Sequence, residues 1–306
     1  MTDIVSKRYW YFGLSLLVIV PGLISLALWG LPLSIDFTGG SKLEVQFPGA
    51  TATILPGDVK ILLADSGLGD SIVQTAENNT VIIRTKTLDE VQRASMLAAL
   101  TAKFGETKLL RSDNVGPTVG AEVTEKAAMA VGLAALGILI YITYAFRGVP
   151  HAFRYGVCAI IAMLHDVLVM LGAASLLGHF FGWEVDALFL TAALTVIGFS
   201  VHDTIVVFDR IRENQRVYRR AAYESVVNHS IVQTLDRSIN TQLTVMFTLL
   251  ALVLFGGVTI QHFVVILLVG VFSGTYSSIF NAAPLLVVWE NNELGRLFRR
   301  KAPVAA

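Results

Sequence analysis

Cysteine is all but missing from this chain: Cys158 is the single one in 306 residues. A lone cysteine forms no intramolecular disulfide and matches no metal-ligand spacing, so neither a disulfide framework nor a thiolate metal site is expected. Charge is scarce as well. Asp, Glu, Lys and Arg make up 15% of the residues, against about 25% in ordinary soluble domains. The 23 basic and 23 acidic side chains cancel, so nothing draws the whole chain toward nucleic acid. No glycine-rich phosphate loop is present, which argues against a nucleotide-driven step within the chain. No cofactor is called for.

What the sequence has in excess is apolar residues, 54% of the total, with a mean hydropathy of +0.66. They come in long blocks and not in the amphipathic period of soluble helices. The blocks are residues 11–33, 127–146, 155–177, 188–208, 239–255 and 263–289. A helix needs about 20 apolar residues to cross a bilayer, so six transmembrane helices are predicted. The first block follows Lys7 and Arg8 and has two readings, a cleaved signal peptide or an uncleaved helix. A signal has an apolar region of only about 7–15 residues and a small-residue cleavage site. The block is longer, and Leu26-Ala27-Leu28-Trp29 is a poor site, so the uncleaved helix is the reading taken.

Residues 34–124 differ in texture, with short apolar stretches and frequent turns. Residues 42–47 alternate as a half-buried strand does. Residues 56–68 have helix periodicity with Pro56 at the start. Residues 71–75 and 80–85 are strand-like and flank the turn Glu77-Asn78-Asn79. Thr87-Leu88-Asp89-Glu90 fits a capping box for a helix reaching about Phe104, and 107–111 read as a last strand. The order β-α-β-β-α-β is a ferredoxin-like split unit, a fold that hosts many functions. The chain therefore divides into 1–33, with the first transmembrane helix; 34–124, the α+β domain; 125–290, helices two to six; and 291–306, a basic tail.

Lys and Arg set the orientation. With the N-terminus in the cytoplasm, the inner segments carry Lys7, Arg8, Arg147, Arg154, Arg210, Arg212, Arg216, Arg219, Arg220, Arg237, Arg296, Arg299, Arg300 and Lys301, and the outer loops 178–186 and 256–262 carry none. Both termini are then cytoplasmic and the α+β domain is extracytoplasmic. Residues 209–238 form a cytoplasmic connection; within it, 215–235 read equally as an amphipathic helix on the membrane surface or as a solvated helical hairpin.

Ionisable residues inside the spans are the candidates for chemistry, because a charge there costs about 2.5–3.5 kcal/mol on insertion scales. Asp166, preceded by His165, lies near the middle of span three. Asp203, preceded by His202, lies about five residues, or roughly 8 Å, from the polar end of span four. Arg237 opens span five on the same side, where a folded bundle can bring it to Asp203. A carboxyl whose cationic partner comes and goes can take a proton from one side and release it to the other; a permanent ion pair merely holds helices together. Adjacent residues on a helix do not face each other, so each histidine need not serve its aspartate. An intramembrane aspartyl protease would need Asp166 and Asp203 to share a proton. Their different depths and the lack of a G-x-G-D motif, Gly198 being followed by Phe199 and Ser200, argue against it. In span six, Gly270, Ser273, Gly274, Thr275, Ser277, Ser278 and Asn281 read as close helix packing.

Several motifs then coincide. Asp36-Phe37-Thr38-Gly39-Gly40 follows span one, and Val115-Gly116-Pro117 with Gly120 precedes span two. His165-Asp166-Val167 lies in span three. Span four holds Ile197-Gly198-Phe199-Ser200-Val201-His202-Asp203-Thr204 and runs into Val207-Phe208-Asp209-Arg210-Ile211-Arg212-Glu213-Asn214. Gln233-Thr234-Leu235-Asp236-Arg237 and Tyr276-Ser277-Ser278-Ile279-Phe280 extend the pattern. Over nearly its whole length the sequence resembles the SecF side of the SecD/SecF family of protein-export membrane proteins. The resemblance implies a non-enzymatic half of a resistance-nodulation-division transporter in the bacterial inner membrane. It implies SecD as the other half, a SecYEG-type channel and the unfolded exported polypeptide as further partners, membrane lipids around it, and no nucleic acid. The proton gradient would move the external domains. Asp203 and Arg237 fall on positions the family uses for ion passage, with Asp166 and His202 the next candidates; His202 departs from the family's usual asparagine. Asp36, Gly39, Gly40, Gly116, Pro117, Asp209 and Arg210 belong to the motifs, and for Asp36 turn chemistry favours a structural part. Half of an efflux-type transporter for lipids or small molecules is the alternative, and a passive scaffold is a third reading.

Overall fold

A computed structural model describes residues 3–49, 54–76 and 79–293. Residues Glu77 and Asn78 of the expected turn, and the tail basic residues Arg296, Arg299, Arg300 and Lys301, lie outside the described residues. The chain forms two compact units, Leu33–Met129 and the remainder, 1–32 with 130–306.

The smaller unit contains, in order, the short helix α2 (Ile35–Thr38), β1 (Gly40–Gln46), α3 (Pro56–Asp65), β2 (Ile72–Ala76), β3 (Thr80–Thr85), α4 (Glu90–Phe104) and β4 (Lys108–Val115). The β-α-β-β-α-β order is as expected. The sheet runs β2-β3-β1-β4, with every neighbouring pair antiparallel. Leu43 and Val45 of β1 stand opposite Ile83 and Val81 of β3. With Phe47 they bury one face of the sheet against Val59 and Leu63 of α3 and Met96 and Leu100 of α4. Asn79 takes the left-handed conformation (φ 52°) at the β2–β3 turn. The capping box sits two residues later than the sequence pattern placed it: Asp89 caps α4 and Gln92 closes the box. Leu88 is buried and its N–H is held by Ser41 Oγ at 2.8 Å, which keeps the chain extended up to that point.

The glycine motifs meet here. Gly39 adopts φ +71°, and a Cβ on it would lie 2.7 Å from Pro117 Cα; a Cβ on Gly120 would lie 2.7 Å from Gly39 N. Only hydrogen side chains permit that approach and that φ. The two stretches flanking the sheet are thus one contact. Asp36 is in α2, and its N–H donates to the capping oxygen of Ser34 at 3.2 Å.

The larger unit is helical: α1 (Arg8–Trp29), α5 (Pro117–Ala145, entering from the smaller unit), α6 (Ala152–Phe181), α7 (Ala187–Val217), α8 (Tyr223–Phe255), α9 (Val258–Ser277), a π-helical turn Ser278–Ala282, and α10 (Ala283–Glu290). Among the described residues six helices are long and apolar enough to cross a membrane, the last running Ile260–Glu290 through the π turn. The protein is a multi-pass membrane protein. Helices α6, α7 and α9–α10 are the most buried. Phe146, Tyr155 and Phe208 centre the core, with ring centroids 5.3 and 5.1 Å from Tyr155. Exposed side chains such as Trp10, Leu17, Phe247 and Phe255 give the outside an apolar surface suited to lipid.

Of the two readings of residues 215–235, the helices follow the hairpin and not a separate surface helix. Spans four and five extend through residues 209–238 as the end of α7 and the start of α8, meeting at a short connection after Val217. The apolar side chains of that stretch are used between the helices: Ile211, Val226, Val227 and Ile231 are buried.

Candidate functional site

Two carboxylates lie inside the helical unit, each within its own hydrogen-bond shell. Asp166 on α6 is 0% exposed. Its Oδ2 accepts from Ser200 Oγ of α7 at 2.6 Å and from Ser277 Oγ of α9 at 2.7 Å. Its Oδ1 accepts from Ser273 Oγ at 2.6 Å and lies 3.0 Å from His165 Nδ1. Three helices therefore converge on one side chain. Small residues make the convergence possible. A Cβ on Gly274 would lie 3.1 Å from Ser200 Cβ, and one on Gly270 would lie 2.4 Å from Val196 Cγ2. Close backbones and hydroxyl bonds across helices are the means by which spans associate where lipid offers no hydrophobic drive.

Asp203, 3% exposed, lies three residues beyond Ser200, nearly a full turn along α7. Its Oδ2 accepts from Gln242 Nε2 of α8 at 2.7 Å. Gln242 is buried, and among the described residues its Oε1 finds no partner; the same holds for Ser238 Oγ, one turn earlier on α8. Arg237, the expected partner, acts on Asp203 through its charge from a distance and not through a direct contact. Arg237 is exposed, and among the described residues no ion pair within 4.0 Å joins it to Asp203. The reason is helical phase: five residues separate Arg237 from Gln242, about 140° around the axis.

The histidines divide. His202 is exposed, and among the described residues no hydrogen bond joins it to Asp203 or Gln242. His165 does reach the neighbouring Asp166, contrary to the rule for adjacent helical residues, because its Nδ1 folds back to Oδ1. Its Nε2 is buried and without a partner among the described residues. No hydrogen bond joins Asp166 to Asp203 among the described residues.

The polar end of α7 is structural in its contacts. Asp209 pairs with Arg212, and Arg210 with Glu213 at 2.8 Å. Arg212 also donates to Ala145 O at 3.2 Å and lies over the Phe146 ring, fastening α7 to the end of α5. Asn214 Nδ2 donates to Ser230 Oγ and Gln233 Oε1, both at 2.9 Å, joining α7 to α8. At the start of the chain, Arg8 pairs with Glu224 at 2.8 Å and Glu293 at 2.7 Å, and Asn228 Oδ1 accepts from the N–H groups of Ile4 and Val5.

Sequence reading found both carboxylates but missed Ser200, Ser273, Ser277 and Gln242 as their donors. The signal was spacing: Ser273 and Ser277 are four apart, and so share one helix face.

Six apolar helices, an α+β domain after the first, and two buried carboxylates held by polar groups of neighbouring helices define a polytopic membrane protein with ionisable groups buried between its spans. Residues 95–292 match the family described as protein export membrane protein SecD/SecF, C-terminal, and residues 24–47 match the SecD/SecF GG motif. The protein translocase subunit SecF of Anaerolinea thermophila is 56% identical over the full length of both chains. That of Thermobaculum terrenum is 52% identical over 100% of this chain and 99% of its own. The crystal structure of SecDF, a translocon-associated membrane protein from Thermus thermophilus, superposes with a TM-score of 0.82 at 32% identity, covering 95% of this chain and 39% of that one. The chain thus spans about two fifths of the length of that SecDF chain. It belongs to the SecD/SecF family of protein-export membrane proteins, as a SecF-type member.

Proposed function

We infer that this chain is a subunit of the Sec protein translocase that uses the proton motive force to assist protein export, through movement of its extracytoplasmic α+β domain. The observation that carries the reading is Asp203: a buried carboxyl whose bonded partner, Gln242, is neutral. A carboxylate desolvated without a fixed cation is costly, and protonation removes that cost. Its charge can therefore change in step with helix movement. A proton crossing the membrane supplies about 2.3 kcal/mol per 100 mV. Arg237, exposed near the same end of α8, and His202, exposed beside Asp203, are available to a second chain completing the path.

The second chain is SecD. Support comes from lengths: the Bacillus subtilis SecDF relative is 34% identical over 95% of this chain but only 38% of its own, which leaves room there for a SecD portion. A SecYEG-type channel, the unfolded exported polypeptide and lipids of the bacterial inner membrane complete the setting, with both termini cytoplasmic. The role is one of coupling and not of catalysis.

The test is export of a secreted reporter in cells depleted of their own copy and complemented with this chain and its SecD. Wild type restores export; Asp203→Asn, assembled to the same level, does not. Equal export by the two would reduce Asp203 to a packing feature.

A further inference from the structure

We propose that Asp166 is a second proton-binding carboxyl of this chain, and that Ser277 is the hydroxyl that reverses its hydrogen bond when the proton arrives. The inference rests on the proton-coupled reading above and adds a site to it.

The argument is one of donors and acceptors. Asp166 is fully buried, and the hydroxyls of Ser200, Ser273 and Ser277 all donate to it. An ionised carboxyl only accepts, whereas a protonated one must also donate. Adding a proton at Oδ2 therefore requires one of its two donors, Ser200 or Ser277, to turn round and accept. A hydroxyl that turns needs somewhere else to send its own hydrogen. Ser277 has such a place: Gly274 O, one turn back on α9, lies 3.3 Å from its Oγ. For Ser200, Asp166 is the acceptor found among the described residues.

The two states then balance. In the first, Ser277 O–H donates to Asp166 Oδ2. In the second, an O–H bond has formed at Oδ2 and donates to Ser277 Oγ, while the Ser277 hydrogen, still on its own oxygen, points to Gly274 O. One proton has been gained and the exchange leaves no further buried group unpaired, which matters because an unpaired buried polar group costs about 1–3 kcal/mol.

The surroundings contain little else that titrates. His165, on the same helix, lies 3.0 Å away at Oδ1. From α7 comes Ser200, the nearby Asp203 being bonded to Gln242. From α9 come Ser273, Ser277 and Gly274. α1 packs on α6 through Gly22 and Ser25.

Ser277 also occupies a mechanical position. It is the last residue of α9, and the π turn begins at the next. Ser278 donates to Ser200 O and accepts from Thr204 Oγ1, each at 2.9 Å. The state of Asp166 is thus read where α9 and α7 are fastened together.

Infrared difference spectroscopy of the full chain in lipid vesicles, stepped from alkaline to acid, tests this. Wild type should show a protonated-carboxyl C=O band that grows in acid, is lost in Asp166→Asn and persists in Asp203→Asn. Ser277→Ala should keep the band but move it to higher wavenumber, the acceptor having gone. A wild-type spectrum left unchanged by Asp166→Asn overturns the proposal. Should that variant not fold, Ser277→Ala decides, and a band that stays at its wild-type position overturns it. Failure of the export test at Asp203 would remove the coupling reading without touching this band.

Discussion

Gly22 of α1 and Gly172 of α6 touch backbone to backbone: a Cβ on Gly22 would lie 2.9 Å from Gly172 Cα, and one on Gly172 would lie 2.7 Å from Gly22 Cα. One turn on, Ser25 and Ser175 hydroxyls bond at 2.7 Å, and Ser175 donates to Gly30 O. The seam therefore has no slack. Gly172→Val should push α1 off α6 and cost about 1–3 kcal/mol, the usual cost of overpacking. Thermal unfolding in detergent, followed by tryptophan fluorescence, should show a lowered midpoint, with Gly13→Val, which meets nothing within 4 Å, unaffected.

The Asp203–Gln242 bond should show as a coupling energy. Gln242→Leu leaves a buried carboxyl without its donor, at a cost of about 1–3 kcal/mol. Asp203→Asn alone should be milder, since Asn still accepts from Gln242. In Asp203→Leu with Gln242→Leu no polar group is stranded, so the double change should cost less than the two single changes together. A double-mutant cycle on unfolding measures this, and strict additivity would mean that the bond carries no net energy.

Glu293 sets a pH dependence at the clasp around Arg8. Burial alone would push its carboxyl up, but hydrogen bonds from Tyr9, Arg8 and Asn291 outweigh that and hold it below its ordinary 4.5. A carboxyl depressed on folding stabilises above its unfolded value and loses that contribution as pH falls through the folded one. Wild type should therefore exceed Glu293→Gln in unfolding midpoint near neutrality, and the difference should shrink below about pH 4.5. High salt should narrow it only slightly, since the Arg8 and Glu293 side chains are 11% and 15% exposed.

In the α+β unit, Gly120→Val should be damaging, because Gly120 is buried against the stretch before β1. The added atoms would meet Gly39 N at 2.7 Å and Phe37 O at 2.9 Å, both backbone. The contact between the stretches before β1 and after β4 should open, and limited proteolysis should cut near residues 36–40 sooner than in wild type.

What the sequence made legible follows from what is conspicuous in it. Long apolar blocks announce spans, and a lone Asp among Val, Ile and Leu announces itself. The partners of those aspartates were not legible, because Ser and Gln are ordinary in spans and gain meaning only when another helix is set against them. Arg237 drew attention by its charge, although helical phase hands Asp203 to Gln242 instead. In β4 the stretch Ser112–Val115 has no apolar alternation; it is a strand because its backbone pairs with Gly40–Leu43. The capping box slipped by two residues because Thr87 and Asp89 both satisfy the pattern, and only the tie of Leu88 to Ser41 separates them.

The π turn at Ser278–Ala282 has a bearing on how this family's sequences vary in length. A π turn accommodates one residue more than an α-helix needs over the same rise. Elsewhere along the rod from Ile260 to Glu290, removing a residue would swing everything beyond it by about 100° and carry buried side chains such as Leu286 and Val287 out of the core. Within the π turn, a one-residue deletion only restores the regular helix and leaves both flanking faces where they are. Single-residue gaps among homologues in this span should therefore gather at that turn, and the surplus residue reads as an old insertion that was kept.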